Sequence, residues 1–183
     1  MRPLPAVLLL AVLGIGFGRA CAEEDVVIQR YLAHLYLGDV MEDIQRIYAP
    51  AQEWPSYLEN TGLGHVKRYR VERSYLKVPD PKIDTMYLGM KKSALRAESL
   101  VEIQLVYTAK YSRSKSAEEL AGDLALIYGE PHRSEGKFWW SDGKTVLRVF
   151  YAEVPVLKGG GQGVELRTSL QIMEQNLFQR TDS

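Results

Sequence analysis

Alternation of apolar and polar side chains restricts the fold of this chain more than any other feature of its sequence. It runs through residues 101–107 and again through residues 164–172. A period of two is that of β-strands in an antiparallel sheet covered on one side. The predicted inward positions are Val101, Ile103, Leu105, Tyr107, Val164, Leu166, Leu170 and Ile172. The positions predicted to face solvent are Glu102, Gln104, Thr108, Glu165, Arg167, Ser169 and Gln171.

Two segments predict helices that would cover such a sheet. Ser116 and Glu119 form a capping box, in which the serine hydroxyl accepts the N–H of Glu119 and the carboxylate accepts the N–H of Ser116. A helix is therefore predicted over residues 117–128, ended by the glycine that follows. Its predicted apolar side is Ala117, Leu120, Ala121, Leu124, Ile127 and Tyr128. A shorter helix is predicted over residues 39–48, with Asp39 as its cap.

A tight hairpin is predicted at Asp142 and Gly143, because this pair favours a type I′ turn. The predicted pairs are Ser141 with Lys144, Trp140 with Thr145, Trp139 with Val146, and Phe138 with Leu147. One face then carries Phe138, Trp140, Leu147, Val149 and Tyr151, and the other carries Lys137, Trp139, Val146, Arg148 and Phe150. The first face is the better core. The glycine-rich residues 158–163 are predicted to link two strands as a hairpin.

Residues 1–22 are interpreted as an export signal. Arg2 precedes an apolar run, and Ala20 and Ala22 flank Cys21 in the small-x-small pattern that signal peptidase recognises. Cleavage near Ala22 would leave residues 23–183 as a single domain, periplasmic or secreted. That domain would contain no cysteine, since Cys21 is the only one in the chain, and its stability would depend on its apolar core.

Two other interpretations of these residues are less favourable. Cys21 could carry a lipid anchor, but Arg19 stands where that processing site takes a small or apolar residue. A membrane span is not predicted, because the apolar run is shorter than the ~20 residues that cross a bilayer. Removal of Arg2 and Arg19 from the 23 basic residues leaves 21 against 23 acidic ones. This balance argues against a nucleic-acid partner.

These patterns together predict an α+β fold, with a mainly antiparallel sheet and the two predicted helices packed on one face. A short internal similarity adds an alternative. Residues 43–49 align with residues 123–129, and proline follows each stretch. If the similarity reflects a duplication, the domain consists of two tandem helix-plus-sheet repeats, over about residues 33–90 and 98–175.

Residues 38–44 and, more clearly, residues 124–131 with the tryptophan-bearing hairpin after them resemble a family pattern. The pattern is the helix, Gly-x-Pro and hairpin of small envelope proteins of the SmpA/OmlA (BamE-like) type. The tandem arrangement is similar to that of the β-lactamase-inhibitor-protein fold. Both resemblances imply a domain that binds another protein and has no enzymatic activity. The stretch that begins at residue 38 departs from the Gly-x-Pro part of this pattern, because Pro50 follows Ala49 with no residue between them.

No residue pattern predicts catalysis, a metal site or a cofactor. His34, His65 and His132 lie far apart in the sequence and lack the H-E-x-x-H spacing of a zinc site. No serine stands in a G-x-S-x-G turn, although a Ser/His/Asp set that meets only in three dimensions stays open. The chain is therefore predicted not to be an enzyme, and to bind no metal and no cofactor.

Aromatic and basic residues predict an interaction surface. Trp139 should point away from the core because Trp140 points into it, and Lys137 and Arg148 share the face of Trp139. An indole among cations is typical of protein-binding hot spots and of anionic glycan sites. The second predicted group is Arg68, Tyr69 and Arg70 on a strand, with Trp54 in a preceding loop. Both groups also have a purely structural interpretation. For Trp139 it is a loop that covers the indole, and for the basic residues it is charge that protects an edge strand from pairing with another strand.

The predicted function is that of an exported, non-catalytic module that binds another protein of the bacterial envelope, to support assembly or to inhibit that partner. The alternative is a binding protein for a small or glycan-like ligand on the concave face of the sheet. A deep aromatic pocket would favour the ligand, and a flat aromatic and basic patch would favour the protein partner. The oligomeric state does not follow from the sequence.

Overall fold

The structure is a computed structural model that describes residues 26–48, 53–61, 64–76, 80–93, 96–158 and 161–178. The predicted export signal, its cleavage near Ala22 and the alternative lipid anchor at Cys21 lie outside these residues. In the described part of the chain, no helix combines the length and the apolar character that crossing a membrane requires.

An antiparallel sheet of eight strands dominates the fold. Its strands are β3 (Ser56–Thr61), β4 (Gly64–Glu72), β5 (Ile83–Ser93), β6 (Arg96–Tyr107), β7 (His132–Ser134), β8 (Lys137–Ser141), β9 (Thr145–Lys158) and β10 (Gly161–Glu174). A small hairpin of β1 (Tyr31–Leu32) and β2 (Leu35–Tyr36) precedes them. The helices are α1 (Met41–Ile47), α2 (Ala109–Ser114), α3 (Ala117–Tyr128) and α4 (Gln175–Phe178), and Arg73–Tyr75 forms a 3₁₀ turn.

The strand order across the sheet is β3, β4, β5, β6, β10, β9, β8, β7, and every neighbouring pair is antiparallel. Strands β6 and β10 therefore lie at the centre, and β3 and β7 form the two edges. The glycine-rich link is confirmed as a hairpin connection, because β9 and β10 pair along their length up to Lys158 and Gly161.

One face of the sheet, called here the helix face, carries the main core. Leu88, Ile103 and Ile172 are buried at its centre. Ile44 of α1 and Leu120 of α3 pack into the same cluster. These helices remove the apolar side chains of the central strands from water, which supplies most of the hydrophobic stabilisation of the fold.

The opposite face, called here the polar face, has a smaller apolar cluster at one end. Val66, Val146 and Met173 are buried there, and Leu177 of α4 packs on them. A β-bulge in β6 adds Val101 to this cluster, because Gly89 pairs with Glu102 whereas Met90 pairs with Leu100. The sequence pattern had instead placed Val101 on the same face as Ile103.

The expected fold class is therefore wrong as stated. The fold is not two helices packed on one face of a sheet: among the described residues the eight-stranded sheet dominates, four short helices accompany it, and α4 packs on the polar face. The physical reason is the apolar cluster at the end of the polar face, which needs its own cover.

The prediction for the helix over residues 117–128 is confirmed. Ser116 Oγ accepts the N–H of Glu119 at 3.1 Å, and Glu119 Oε2 accepts the N–H of Ser116 at 2.8 Å. Gly129 ends the helix with φ +75°, a backbone conformation that favours glycine. The apolar side is shorter than predicted, because Ile127 in the last turn is 70% exposed.

The first helix begins later than predicted, at Met41 instead of the position after Asp39. The Asp39 carboxylate does not cap it, but accepts the N–H of Tyr36 at 2.8 Å. The backbone carbonyl of Asp39 accepts the N–H of Leu100 at 2.8 Å. Asp39 is thus held against β6 by its backbone, which delays the start of the helix.

The predicted register of the β8–β9 hairpin is wrong by two residues, since Trp139 lies opposite Arg148 and Trp140 opposite Leu147. The Asp142 carboxylate explains the longer loop, because it accepts the N–H groups of the residues two and three positions later, at 2.9 and 2.7 Å. A shift of two residues keeps every side chain on its predicted face.

Candidate functional site

A row of polar side chains crosses the middle of the polar face. Arg68 on β4 lies between two carboxylates, with Nε 2.8 Å from Glu59 Oε2 and Nη2 2.7 Å from Glu102 Oε2. The Gln171 side-chain amide donates to Glu102 Oε1. Its own Oε1 accepts the Nε–H of Arg148 at 2.9 Å. The row joins five strands through side chains alone, and its formal charges balance.

Glu102 is the deepest member of this row, and only 1% of its surface is exposed. The room that it occupies exists because β5 has a glycine opposite it: a Cβ atom on Gly89 would lie 2.9 Å from both the Cβ and Oε2 atoms of Glu102. The absence of a side chain at Gly89 therefore lets the carboxylate lie over β5 and reach Arg68.

Burial raises the pKa of the Glu102 carboxyl above its ordinary value, against the opposing effects of the Arg68 charge and the Gln171 hydrogen bond. For Arg68, burial alone would lower the pKa, but the charges of Glu102 and Glu59 raise it above its ordinary value. Arg68 therefore stays charged. Glu102 is the group of this row whose charge is most costly to keep in the folded state.

An open cavity of about 300 Å³ lies beside this row. Its lining includes Tyr57, Tyr87, Gln104, Val106, Phe150 and Val154. Half of the Tyr57 surface is exposed (50%), whereas Tyr87 and Phe150 are partly buried. Burial raises the pKa of the Tyr87 hydroxyl, which therefore remains a neutral hydrogen-bond donor and acceptor.

The lining of this cavity indicates that the sheet is curved. Tyr57 belongs to the edge strand β3 and Val154 to β9, and four strands lie between them. In a flat sheet these two strands would be about 24 Å apart, since neighbouring strands lie ~4.8 Å apart. Side chains from both strands line one cavity of about 300 Å³. The polar face must therefore be concave.

Ion pairs lie at the rim of the cavity, because Arg167 is paired with Ala152 and Arg70 with Tyr87, two residues of its lining. Arg167 Nη1 lies 2.7 Å from Asp84 Oδ2, and its Nη2 lies 3.2 Å from Glu165 Oε2. On the β4 side, Arg70 and Glu72 are about half exposed and lie 3.5 Å apart. The rim therefore offers both signs of charge to a bound molecule.

Two of the predicted interaction residues lie in the core instead of on the surface. Trp54 is 4% exposed and Tyr69 is 7% exposed, and their rings meet edge to face at 6.2 Å. Tyr69 points to the helix face because its neighbours Arg68 and Arg70 point to the polar face. The predicted group of Arg68, Tyr69 and Arg70 is thus divided between the two faces of β4.

Trp139 lies on the polar face, as its predicted orientation requires, but it is partly buried. The His132 ring stacks on it at 5.6 Å, and the Phe178 ring of α4 lies 5.7 Å away. Lys137, on the same strand, is also partly buried. Arg148, opposite Trp139, reaches the polar row and lies 4.6 Å from the centre of the Phe150 ring. Trp139 therefore belongs to the α4 end of the face, away from the cavity.

The structure adds site residues that sequence reasoning missed. Glu102 and Gln171 were predicted to face solvent, yet only 1% and 2% of their surfaces are exposed. Tyr57 lies in β3, where no strand was predicted. In the sequence, the glycines at positions 62 and 64 are the local signal for a hairpin there.

Within the described ranges, no three His, Cys, Asp or Glu side chains gather in a way that would hold a metal ion. No protein-family model matches the chain, and no curated protein or solved structure matches it. The resemblance to SmpA/OmlA (BamE-like) proteins and to the β-lactamase-inhibitor-protein fold therefore stays a prediction.

Proposed function

We propose that this protein is an exported, non-catalytic module that binds a partner protein of the bacterial envelope on its polar face. Export is inferred from residues 1–22, whose pattern is that of a cleaved signal. The observation that best supports binding is the concave region of the polar face that no described helix covers, with its aromatic cavity. Such a face suits either support of assembly or inhibition of the partner.

The lining of the cavity has the chemistry of a protein-binding hot spot. Tyr57, Tyr87 and Phe150 offer large apolar surfaces with few rotatable bonds, so that little conformational entropy is lost on binding. The buried row beneath them, with Glu102 at its centre, holds its neighbours in place before the partner arrives. Pre-organisation of this kind increases affinity because it reduces the ordering cost.

A photo-crosslinking amino acid in place of Tyr57 tests the proposal in intact cells. We expect one discrete crosslinked product, identified by mass spectrometry as an envelope protein. Tyr36 is the matched control, because it is an equally exposed tyrosine (57% against 50%) on the separate β1–β2 hairpin. Equal crosslinking at the two positions, or none at Tyr57, would contradict the proposal.

A second variant tests the cavity itself. Phe150→Ala removes one wall of it, and we expect recovery of the partner in a pull-down to fall by at least about tenfold, because loss of a hot-spot aromatic costs about 2 kcal/mol or more. Circular dichroism would verify that the variant folds. Unchanged recovery would show that the partner binds elsewhere.

The cavity volume favours one alternative function, the binding of a small or glycan-like ligand. A volume of about 300 Å³ is at the lower end of small-molecule sites. Aromatic rings beside the Gln104 amide could stack on a sugar ring and bond its hydroxyl groups. A thermal-shift screen with oligosaccharides distinguishes the two functions: stabilisation that Phe150→Ala abolishes would favour the ligand.

A further inference from the structure

Strand β3 is an edge of the sheet, and no described strand pairs with its outer side. The carbonyl of Pro55 accepts the N–H of Arg70 at 2.8 Å. Hydrogen-bonded positions alternate along an antiparallel pair. Residues 57 and 59 therefore direct their backbone groups toward β4, whereas Ser56, Leu58 and Asn60 direct theirs outward. The outer edge presents the N–H and C=O groups that an added strand needs.

This edge lacks the features that protect other edges of the sheet. Strand β7, at the opposite edge, has only three residues. The exposed part of β9 contains Pro155, which has no N–H to donate. Strand β3 has six residues and contains neither proline nor lysine, and Leu58 at its middle is 69% exposed. An edge of this kind favours the addition of another strand.

The charges of β3 suit a second copy of the same strand. Its one charged side chain, Glu59, is already balanced by Arg68 at 2.8 Å. An antiparallel pairing centred on Leu58 places Leu58 against Leu58, and Tyr57 against Glu59, where the tyrosine hydroxyl can donate to the carboxylate. A pairing centred on Glu59 would oppose two carboxylates. Charge therefore favours the register centred on Leu58 over the one centred on Glu59.

We propose that β3 pairs with β3 of a second copy of this chain about a two-fold axis at Leu58. Such an axis stands perpendicular to the two sheets, so the polar faces of both copies lie on the same side. The two cavities, each lined in part by Tyr57, then lie next to each other across the junction. The pairing is made by the backbone edge of β3, with Tyr57 as the cavity residue that takes part in it, and it does not depend on the function proposed above.

Disulfide trapping tests the register. In a full-length chain with Cys21→Ala, Leu58→Cys introduces the only thiol. Residues in a hydrogen-bonded antiparallel pair have Cα atoms about 5.5 Å apart, within the span of a disulfide. We expect a covalent dimer under mild oxidation. Leu157→Cys, at an exposed position (87%) near the tip of the β9–β10 hairpin, is the control and should stay monomeric. No dimer at position 58, or equal dimer at both positions, overturns the proposal.

Sedimentation equilibrium tests the same contact without a crosslink. We expect the unmodified chain to dimerise, and Leu58→Lys to raise the dissociation constant by at least about tenfold, because two like charges then face each other at the axis. Leu157→Lys should leave it unchanged. A chain that is monomeric at every concentration, or a Leu58→Lys variant that dimerises as well as the unmodified chain, overturns the proposal.

Discussion

Glu102 is the side chain on which the polar face depends most. Transfer of a carboxylate into the protein interior is costly, and one ion pair does not always offset that cost. Here the Arg68 guanidinium and the Gln171 amide both contact it. Arg68 in turn holds Glu59. One buried residue therefore sets the positions of side chains on three other strands, including the edge strand.

The raised pKa of Glu102 predicts how stability depends on pH. The folded chain binds the Glu102 proton more tightly than the unfolded chain does, so this group favours folding below the ordinary pKa of 4.5 and loses that contribution as pH rises through the raised value. Glu102→Gln removes the effect. We therefore expect the free energy of unfolding of the variant to increase, relative to the unmodified chain, between pH 4 and pH 7.

Urea denaturation at several pH values measures this difference. Glu72→Gln is the control, because it removes one negative charge from an exposed position on the same face. A Glu102→Gln variant that becomes relatively less stable as pH rises would show that the ion pair with Arg68 outweighs burial.

The close approach of Gly89 to Glu102 predicts that a side chain at position 89 destabilises the fold. In Gly89→Ala the new methyl group would lie 2.9 Å from the Cβ atom of Glu102 and 3.3 Å from Val66 Cγ1. We expect a loss of about 1–3 kcal/mol in the free energy of unfolding, as for other overpacked sites. Urea denaturation measures it. Gly122→Ala, on the exposed side of α3 with nothing within 4 Å, should instead stabilise the chain by about 0.5–1 kcal/mol. Equal effects would contradict the close approach of β5 and β6.

At the scale of elements, the loop between β8 and β9 joins distant parts of the chain. Asp142 Oδ1 accepts the N–H groups of Lys144 and Thr145, and its Oδ2 accepts the N–H of Ile28 at 3.0 Å. Arg30 Nη1 donates to Thr145 Oγ1 at 3.1 Å. The loop thus holds the segment that leads into the β1–β2 hairpin, in addition to turning its own strands.

Asp142→Ala should lower the melting temperature. Loss of three hydrogen bonds at one partly exposed carboxylate costs about 1–2 kcal/mol, and the expected decrease at pH 7 is roughly 2–8 °C. Differential scanning calorimetry measures it. Asp43→Ala is the control and should change little, because it removes an exposed carboxylate whose ion pair among the described residues is with Arg46 of the same helix.

The stabilisation that Asp142 provides, and that Asp142→Ala removes, depends on pH in a predictable direction. Burial would raise the pKa of the Asp142 carboxyl, but the N–H groups of Thr145, Lys144 and Ile28 lower it below its ordinary value of 3.8. This group therefore stabilises the fold above pH 3.8 and loses that contribution as pH falls through the lowered value. The difference in melting temperature between the two chains should shrink in acid. A constant difference would contradict the role of its charge.

At the scale of the whole molecule, local features were predictable and contacts between strands were not. The capping box at Ser116 depends on residues three apart, and the helix that it starts was predicted to the residue. Glu102 shows the opposite case. Its alternation with apolar neighbours indicates a solvent-exposed residue. Only the pairing of β6 with β10 on one side, and with β5 and then β4 on the other, brings Gln171 and Arg68 to it. Sequence spacing contains no information about that pairing.

The candidate site was predicted in part for the same reason. Arg148 was predicted from the hairpin pattern to share the face of Trp139, and Arg68 was chosen from the basic and aromatic composition of its segment; both lie on the polar face. Trp54 and Tyr69 were chosen on the same grounds and are core residues. Side chains alternate between the two faces of a sheet, so the position of a residue along its strand decides which face it occupies. Which elements cover that face depends on parts of the chain that are distant in sequence.

The position of β6 and β10 at the centre of the sheet has a consequence for folding. Ile103 pairs with Ile172, so the middle of the sheet joins residues that are far apart in the chain. Closure of such a long loop is slow, because its entropy is lost before the contact is gained. A growing polypeptide cannot complete this sheet until β10 has left the ribosome. Until β10 pairs with it, β6 presents an unpaired edge to which a strand of another chain can add.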